Sequence, residues 1–278
     1  MSGFPRACVL GWPVSQSRSP LIHNHWLATY GIAGGYERAE ITPADFEGFV
    51  RGLGAAGFVG GNVTVPHKEA AFRLVDEADA SAADLGAVNT LWFEDGRLFG
   101  GNTDGVGFLA NLDEAAPGWE GERKLAAVIG AGGAARAVAH ALGKRGFERV
   151  AVVNRTREKA EAIAPLAGRA GVAGGLDDLW RFLPDADLVV NATSLGMAGK
   201  GALEVHLGEL PERAVATDLI YVPLETPFLA DARARGLRTV DGLGMLLHQA
   251  APGFERWFGV RPEVTPELRA LVVADIGS

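Results

Sequence analysis
Two patterns of small and charged residues could do chemistry in this sequence. In the first, Gly130, Ala131, Gly132, Gly133, Ala134 and Ala135 follow an apolar run at 125–129 and precede an alanine-rich amphipathic run at 136–144. Strand, glycine turn and helix in that order form a cradle for a pyrophosphate. Gly130 permits the tight turn, Gly132 lets the backbone come close, and the small Ala135 lets helix and strand pack together. Free N–H groups and the helix dipole then favour an anion. In the second pattern, the apolar run at 149–153 ends in Asn154-Arg155-Thr156, with Arg157 and Lys159 close behind. A strand that holds NAD usually ends in Asp or Glu, which accepts from the ribose 2′-OH. A carboxylate would repel a 2′-phosphate, whereas Arg pairs with it bidentately. The pair of patterns predicts NADP(H) rather than NAD(H).

The first hundred residues hold a different set. Ser17 and Ser19 lie just before and at the start of a helix that Pro20 opens. Ser19 reads as the N-cap with Pro at N1, which explains it without a ligand. Ser17 is left over, and a hydroxyl beside a helix N-terminus suits a carboxylate. Thr64 and Lys68 fall where a strand at 58–64 runs into a helix, the place where open α/β sheets bind ligands. A lysine in a first helical turn is disfavoured by the dipole, which argues for a specific partner. Asp104 sits on a strand-to-helix corner beside Gly105, and either caps that helix or orients a substrate hydroxyl. His67 reads as a structural hydrogen-bonding residue, and His23 and His25 as packing or surface residues.

The elements that must position these groups form an α/β chain. Strands are expected at 7–10, 36–41 and 58–64, and a hairpin at 87–93 and 97–100 about the acidic Glu94-Asp95-Gly96 turn. A polar stretch with Pro117-Gly118 then leads into a regular alternation. Five strands, at 125–129, 150–153, 188–191, 215–219 and 238–241, alternate with helices. That is a doubly wound parallel sheet. Asn191-Ala192-Thr193 ends the third of these strands, so Thr193 faces the cofactor crevice, and Tyr221 follows the next. Gly242 opens a long helix to residue 258, and Thr265-Pro266 begins another. With five strands already completing the sheet, these last helices are free to return to the first domain.

Composition sets the limits. The 278 residues fit one large or two ordinary domains, and 48% hydrophobic residues can fill a sizeable core. A net charge of −8 argues against a general nucleic-acid or anionic-membrane binder. The one cysteine, Cys8, lies in an apolar strand and reads as a buried thiol, with no disulfide framework and no metal site. No apolar run approaches a membrane span and no secretory leader is visible, so a cytoplasmic protein is expected. Monomer and homodimer are both compatible with the sequence.

The motifs, taken together, resemble the shikimate dehydrogenase family from end to end. They are Ser17-Arg18-Ser19-Pro20, Asn62-Val63-Thr64-Val65-Pro66-His67-Lys68, Gly86-Ala87-Val88-Asn89-Thr90, Asn102-Thr103-Asp104-Gly105, the glycine turn with Arg136, Asn154-Arg155-Thr156, Asn191-Ala192-Thr193, and the stretch from Gly242 to Gln249. The resemblance implies an N-terminal α/β substrate domain at 1–103, a Rossmann-type doubly wound NADP domain at 104–242, and C-terminal helices at 243–278 packing back on the first. It implies NADPH-dependent reduction of 3-dehydroshikimate to shikimate in aromatic amino-acid biosynthesis, without a metal. By the same resemblance Ser17, Ser19 and Tyr221 bind the substrate carboxylate. Thr64, Asn89, Asp104 and Gln249 hold ring hydroxyls, and Lys68 and Asp104 are the catalytic pair. Gly130 to Ala135 cradle the pyrophosphate, Asn154, Arg155, Thr156 and Lys159 surround the 2′-phosphate, and Thr193 and Gly242 line the nicotinamide end. Trp12 and Gln16 depart from the family pattern, where many members have Asn and His.

Hydride transfer to a ketone leaves negative charge on oxygen, and an ammonium such as Lys68 can stabilise it and supply the proton. Two other readings compete. A quinate/shikimate dehydrogenase of a catabolic pathway shares the fold. A non-catalytic NADP-binding sensor would be expected to lack the Lys68 and Asp104 pair, and both are present.

Overall fold
The computed structural model describes residues 4–277. The chain divides into two compact units, Met1–Thr103 with Leu247–Ser278, and Asp104–Leu246.

The first unit is built on a mixed sheet. Its strands are β1 (Arg6–Gly11), β2 (Gly35–Glu40), β3 (Phe58–Val63), β4 (Glu77–Ala78), β5 (Thr90–Glu94) and β6 (Arg97–Gly101). They lie in the order β2-β1-β3-β5-β6-β4. β1 pairs in parallel with β2 and β3, while β5 is antiparallel to both neighbours. Helices α1 (Ser19–Thr29), α2 (Phe46–Gly52), α3 (Lys68–Leu74) and α4 (Ala80–Leu85) connect the strands. The β5–β6 turn places Asp95 and Gly96 at φ 50° and 77°. Those values are what a two-residue hairpin turn requires, and Asp and Gly tolerate them. The short β4 escapes a sequence reading because two residues carry no periodicity, and α4 is only six residues long. Asp79 caps α4 by accepting from the Ala82 amide at 2.7 Å.

The second unit starts with α5 (Asp104–Ala115) and continues through β7 (Leu125–Ile129), α6 (Gly133–Arg145), β8 (Arg149–Asn154), α7 (Arg157–Ile163), β9 (Gly171–Gly175), β10 (Ala186–Asn191), β11 (Val215–Asp218), α8 (Pro227–Ala234) and β12 (Arg238–Val240). The sheet order is β12-β11-β10-β7-β8-β9, parallel throughout. β7 and β8 read as unbroken apolar runs because both faces of a parallel sheet are covered. Leu125 to Ile129 and Val150 to Val153 are all buried. The order reverses between β7 and β10, the switch point at which such sheets bind ligands.

The sheet has six strands, not the five expected. Three of the five residues of β9 are glycine, so it offers no apolar run to read. A Cβ on Gly171 would collide with the Ala164 backbone, and one on Gly174 would press on Asp178 and Val153, which accounts for glycine at those two places.

The last two helices, α9 (Leu243–Phe258) and α10 (Pro266–Ile276), close the chain. The division between units falls within α9, about a turn beyond Gly242. Its first turn belongs to the second unit, where a Cβ on Gly244 would strike the Asn111 side chain. The rest of it, from Leu247, belongs to the first unit. The Trp257 indole donates to Leu91 O at 2.8 Å, and the Trp26 indole donates to Glu263 O at 2.9 Å. Cys8 is buried, and desolvation pushes its thiol up to about 12, so it is a core residue and not a nucleophile. Among the described residues, no helix is long and apolar enough to cross a membrane.

Candidate active site
In the second unit the cradle forms as a tight βα turn. Gly130 holds φ +115°, and a Cβ there would meet the Ala192 carbonyl group at 2.9 Å. Only glycine fits. A Cβ on Gly132 or Gly133 would meet nothing within 4 Å, so the space above these amides is open. Gly132 is the N-cap of α6, whose first N–H groups have no intrahelical partner. Ala135 is fully buried and packs in the core with Ala126 and Val128, the close helix–strand contact its size predicts.

A cleft of about 520 Å³ runs from this turn. Gly130, Ala131 and Gly132 form one stretch of its wall, and Asn154, Arg155, Thr156 and Lys159 another. Thr193, Ser194 and Leu195 contribute from the loop after β10. Leu176 and Leu203 also line it, and no local sequence signal marks either. The Asn154 amide donates to Thr156 O at 2.9 Å and so fixes the turn that presents Arg155. Arg157 is drawn away by Glu161 at 3.2 Å and Asp178 at 3.0 Å. The cations left on the cleft wall are therefore Arg155 and Lys159. Among the described residues, no acidic side chain lines the cleft.

In the first unit, Asn89 is the node. It is 2% exposed. Its amide donates to Thr103 Oγ1 at 3.0 Å and to Gln249 Oε1 at 3.3 Å, and its Oδ1 accepts the Thr103 amide at 2.9 Å. Thr103 Oγ1 in turn donates to Gln249 O at 2.8 Å. This arrangement joins Asn89 and Thr103, which flank the β5–β6 hairpin, to Gln249 of α9. The sequence marks Thr103 only as part of a motif, and its role as a buried link is visible only in the fold.

Lys68 is half-buried in the first turn of α3, and Thr64 follows the end of β3. His67 makes the structural bond expected of it, Nε2 to Ile41 O at 2.8 Å, and stacks on Phe46 at 4.3 Å. Asp104 is buried at the start of α5, directly after Thr103.

The serines reverse their expected parts. Ser19 does not cap α1; the N-cap position is Arg18, with no side-chain cap bond. Instead Ser17 Oγ accepts the Ser19 amide at 3.3 Å. Ser19 is buried beside Tyr36, whose hydroxyl donates to Asn62 Oδ1 at 2.7 Å. Burial pushes the Tyr36 phenol well up, and hydrogen bonding with Asn62 and Ser19 pulls the other way. Gln16 and Trp12, the two departures from the family pattern, are exposed. Gln16 contributes its carbonyl, which accepts from Arg18 at 2.7 Å.

Models of known families match three segments: a shikimate dehydrogenase substrate binding domain at residues 9–91, shikimate / quinate 5-dehydrogenase at 115–199, and a shikimate 5′-dehydrogenase C-terminal domain at 242–271. A shikimate dehydrogenase (NADP(+)) of Mesorhizobium japonicum is 58% identical over 271 residues, covering 98% of this chain and 96% of that protein. The chain belongs to the shikimate dehydrogenase family. Among solved structures, the Thermus thermophilus shikimate 5-dehydrogenase in complex with NADP(H) and shikimate is 39% identical with a TM-score of 0.86, over 98% of this chain and 99% of that one. A quinate dehydrogenase of Corynebacterium glutamicum in complex with NAD is 30% identical with a TM-score of 0.90, again over 98% and 99%. The family thus includes members solved with either cofactor.

Proposed function
We propose that this protein catalyses the reversible, NADPH-dependent reduction of 3-dehydroshikimate to shikimate in aromatic amino-acid biosynthesis. The observation that carries the choice of cofactor is the cleft wall at Arg155 and Lys159, two cations where an NAD site has a carboxylate. The residues suit the group. The open amides of Gly132 and Gly133 accommodate a pyrophosphate, Arg155 and Lys159 pair with a 2′-phosphate, and Thr193 and Gly242 flank the nicotinamide end. When bound, the reduced nicotinamide supplies the hydride.

The chain's own groups do the rest. Ser17 and Ser19 hydroxyls, with Tyr221, hold the substrate carboxylate. Thr64, Asn89 and Gln249 hold ring hydroxyls, and Asn89 keeps the Gln249 amide in one orientation by donating to it. Asp104 accepts from the hydroxyl next to the reacting carbon. Lys68 Nζ stabilises the negative charge that develops on the carbonyl oxygen and delivers a proton to it. In the reverse direction the same nitrogen takes that proton back. The single buried cysteine suits a reducing compartment, in keeping with a cytoplasmic enzyme.

Catabolic oxidation of quinate is the second reading, favoured by the likeness to the Corynebacterium enzyme. Quinate carries an additional hydroxyl on a saturated ring, and room beside Ser17 and Thr64 would decide its entry. The test is consumption of NADPH on addition of 3-dehydroshikimate, followed by absorbance. Stoichiometric formation of shikimate supports the proposal, and no turnover refutes it.

A further inference from the structure
β10 and β11 end side by side, with Asn191 paired in register to Asp218. Both side chains are fully buried. Asp218 Oδ2 accepts from the Asn191 amide at 2.9 Å and from Thr226 Oγ1 at 2.7 Å, while Oδ1 accepts the Ile220 amide at 2.9 Å. All three donors are neutral. Such a site is costly for a carboxylate, and burial raises the acid's pKa against these hydrogen bonds.

What the carboxylate holds explains why it is there. Through Ile220 it fixes the loop after β11, which carries Tyr221, and the Ile220 carbonyl accepts the Gly242 amide at 3.1 Å. Through Asn191 it fixes the loop after β10. The Asn191 amide also donates to Leu195 O at 3.0 Å, which leaves Asn191 Oδ1 to accept Thr193 N at 3.0 Å and Thr193 Oγ1 at 2.7 Å. Thr193 and Leu195 line the cleft. Gly242 has no room for a Cβ against Leu219 and Ile220. One buried oxygen pair therefore sets the places of Thr193 and Gly242, the two groups assigned above to the nicotinamide end.

We propose that Asp218 is a positioning residue that shapes the nicotinamide end of the cofactor cleft, acting through Asn191 on Thr193 and through Ile220 on Gly242. The proposal rests on the reading of that cleft as the NADP site. It separates the two ends of the cofactor. The adenosine end is held by the β7–α6 and β8–α7 turns, which the carboxylate does not touch.

The substitution Asp218→Asn keeps the shape but turns an amide N–H₂ toward a donor, so at least one of the bonds from Asn191, Thr226 and Ile220 is lost. Calorimetric titration with NADP⁺ and with adenosine 2′,5′-bisphosphate, which lacks the nicotinamide, reads the two ends separately. The expected result is about tenfold weaker NADP⁺ binding, the scale of one charged hydrogen bond, with the bisphosphate unchanged. Equal weakening of both ligands, or of neither, overturns the proposal. Hydrogen exchange on the unaltered protein gives the second measurement, independent of the variant's folding. NADP⁺ should protect the amides of Thr193, Leu195, Ile220 and Gly242, and the bisphosphate should not. Equal protection by both ligands, or by neither while both bind, contradicts the proposal. If the unaltered protein binds neither ligand, the reading of the cleft itself fails, and the inference with it.

Discussion
The hydroxyl oxygen of Ser17 accepts the backbone N–H of Ser19 at 3.3 Å. The pair is thus a short local motif in which Ser17 orders the entry to α1 and Ser19, two residues on, carries the buried hydroxyl. If both hold the substrate carboxylate, loss of either shows in binding and in stability. Ser19→Ala should raise KM for shikimate about tenfold with kcat little changed, and should lower stability by about 1 kcal/mol, because its buried hydroxyl hydrogen-bonds the Tyr36 phenol. Ser17→Ala should raise KM similarly and also lower stability by about 1 kcal/mol, through the lost turn bond. Initial rates and chemical denaturation measure both. An unchanged KM in both variants would remove the serines from the substrate site.

Lys68 is assigned a proton and not merely a binding contact. Lys68→Ala should lower kcat by about a hundredfold to ten-thousandfold, the range of general acid catalysis, while KM for shikimate moves only a few-fold. A rise in KM with kcat preserved would make Lys68 a binding residue and end its role as the acid.

Arg155 should act on one phosphate. Arg155→Ala is expected to lower kcat/KM with NADP⁺ by about ten- to a hundredfold, the scale of charge-assisted hydrogen bonds, and to leave NAD⁺ turnover unaffected. Equal loss with both cofactors would mean that the side chain supports the turn and does not read the 2′-phosphate.

His23 stacks on Tyr36 at 4.1 Å and touches Trp26 edge-on, fully buried. Burial, opposed only by the nearby Asn62 side chain, holds its imidazole down at about 3 from an ordinary 6.5. The unfolded chain takes up this proton below 6.5 and the folded chain does so only near 3, so stability falls as pH falls through that window. The slope from this one group approaches about 1.4 kcal/mol per pH unit. His23→Phe, which keeps a ring in the aromatic cluster, should flatten the profile between 6.5 and about 3 relative to the unaltered protein. Identical slopes in urea denaturation would show that His23 does not carry the effect.

The parts of this protein that could be read from sequence are those whose cause is local. The βα turn at Gly130 is written in the residues that make it, because only glycine tolerates its φ and its contact with Ala192. The β8 end at Asn154-Arg155 is legible for the same reason: charge and strand end lie next to each other in the chain. Ser19 misleads because Ser-Pro is a strong capping pattern, and the backbone instead places Arg18 at the cap position. β9 is invisible because Gly171 answers to the neighbouring Ala164 backbone and Gly174 to the Asp178 and Val153 side chains, not to strand propensity. The Asp218–Asn191 pairing spans 27 residues of sequence and depends on the register of two parallel strands, so nothing local announces it. Thr103 and Gln249, 146 residues apart, meet only because α9 returns to the first unit.

The most direct test is a set of four initial rates: shikimate or quinate, each with NADP⁺ or NAD⁺, followed by formation of reduced cofactor. Turnover is expected to concentrate in the shikimate and NADP⁺ pair. Comparable turnover of quinate, or a preference for NAD⁺, would contradict the proposed function and would overturn the reading of Arg155 and Lys159 as the 2′-phosphate site.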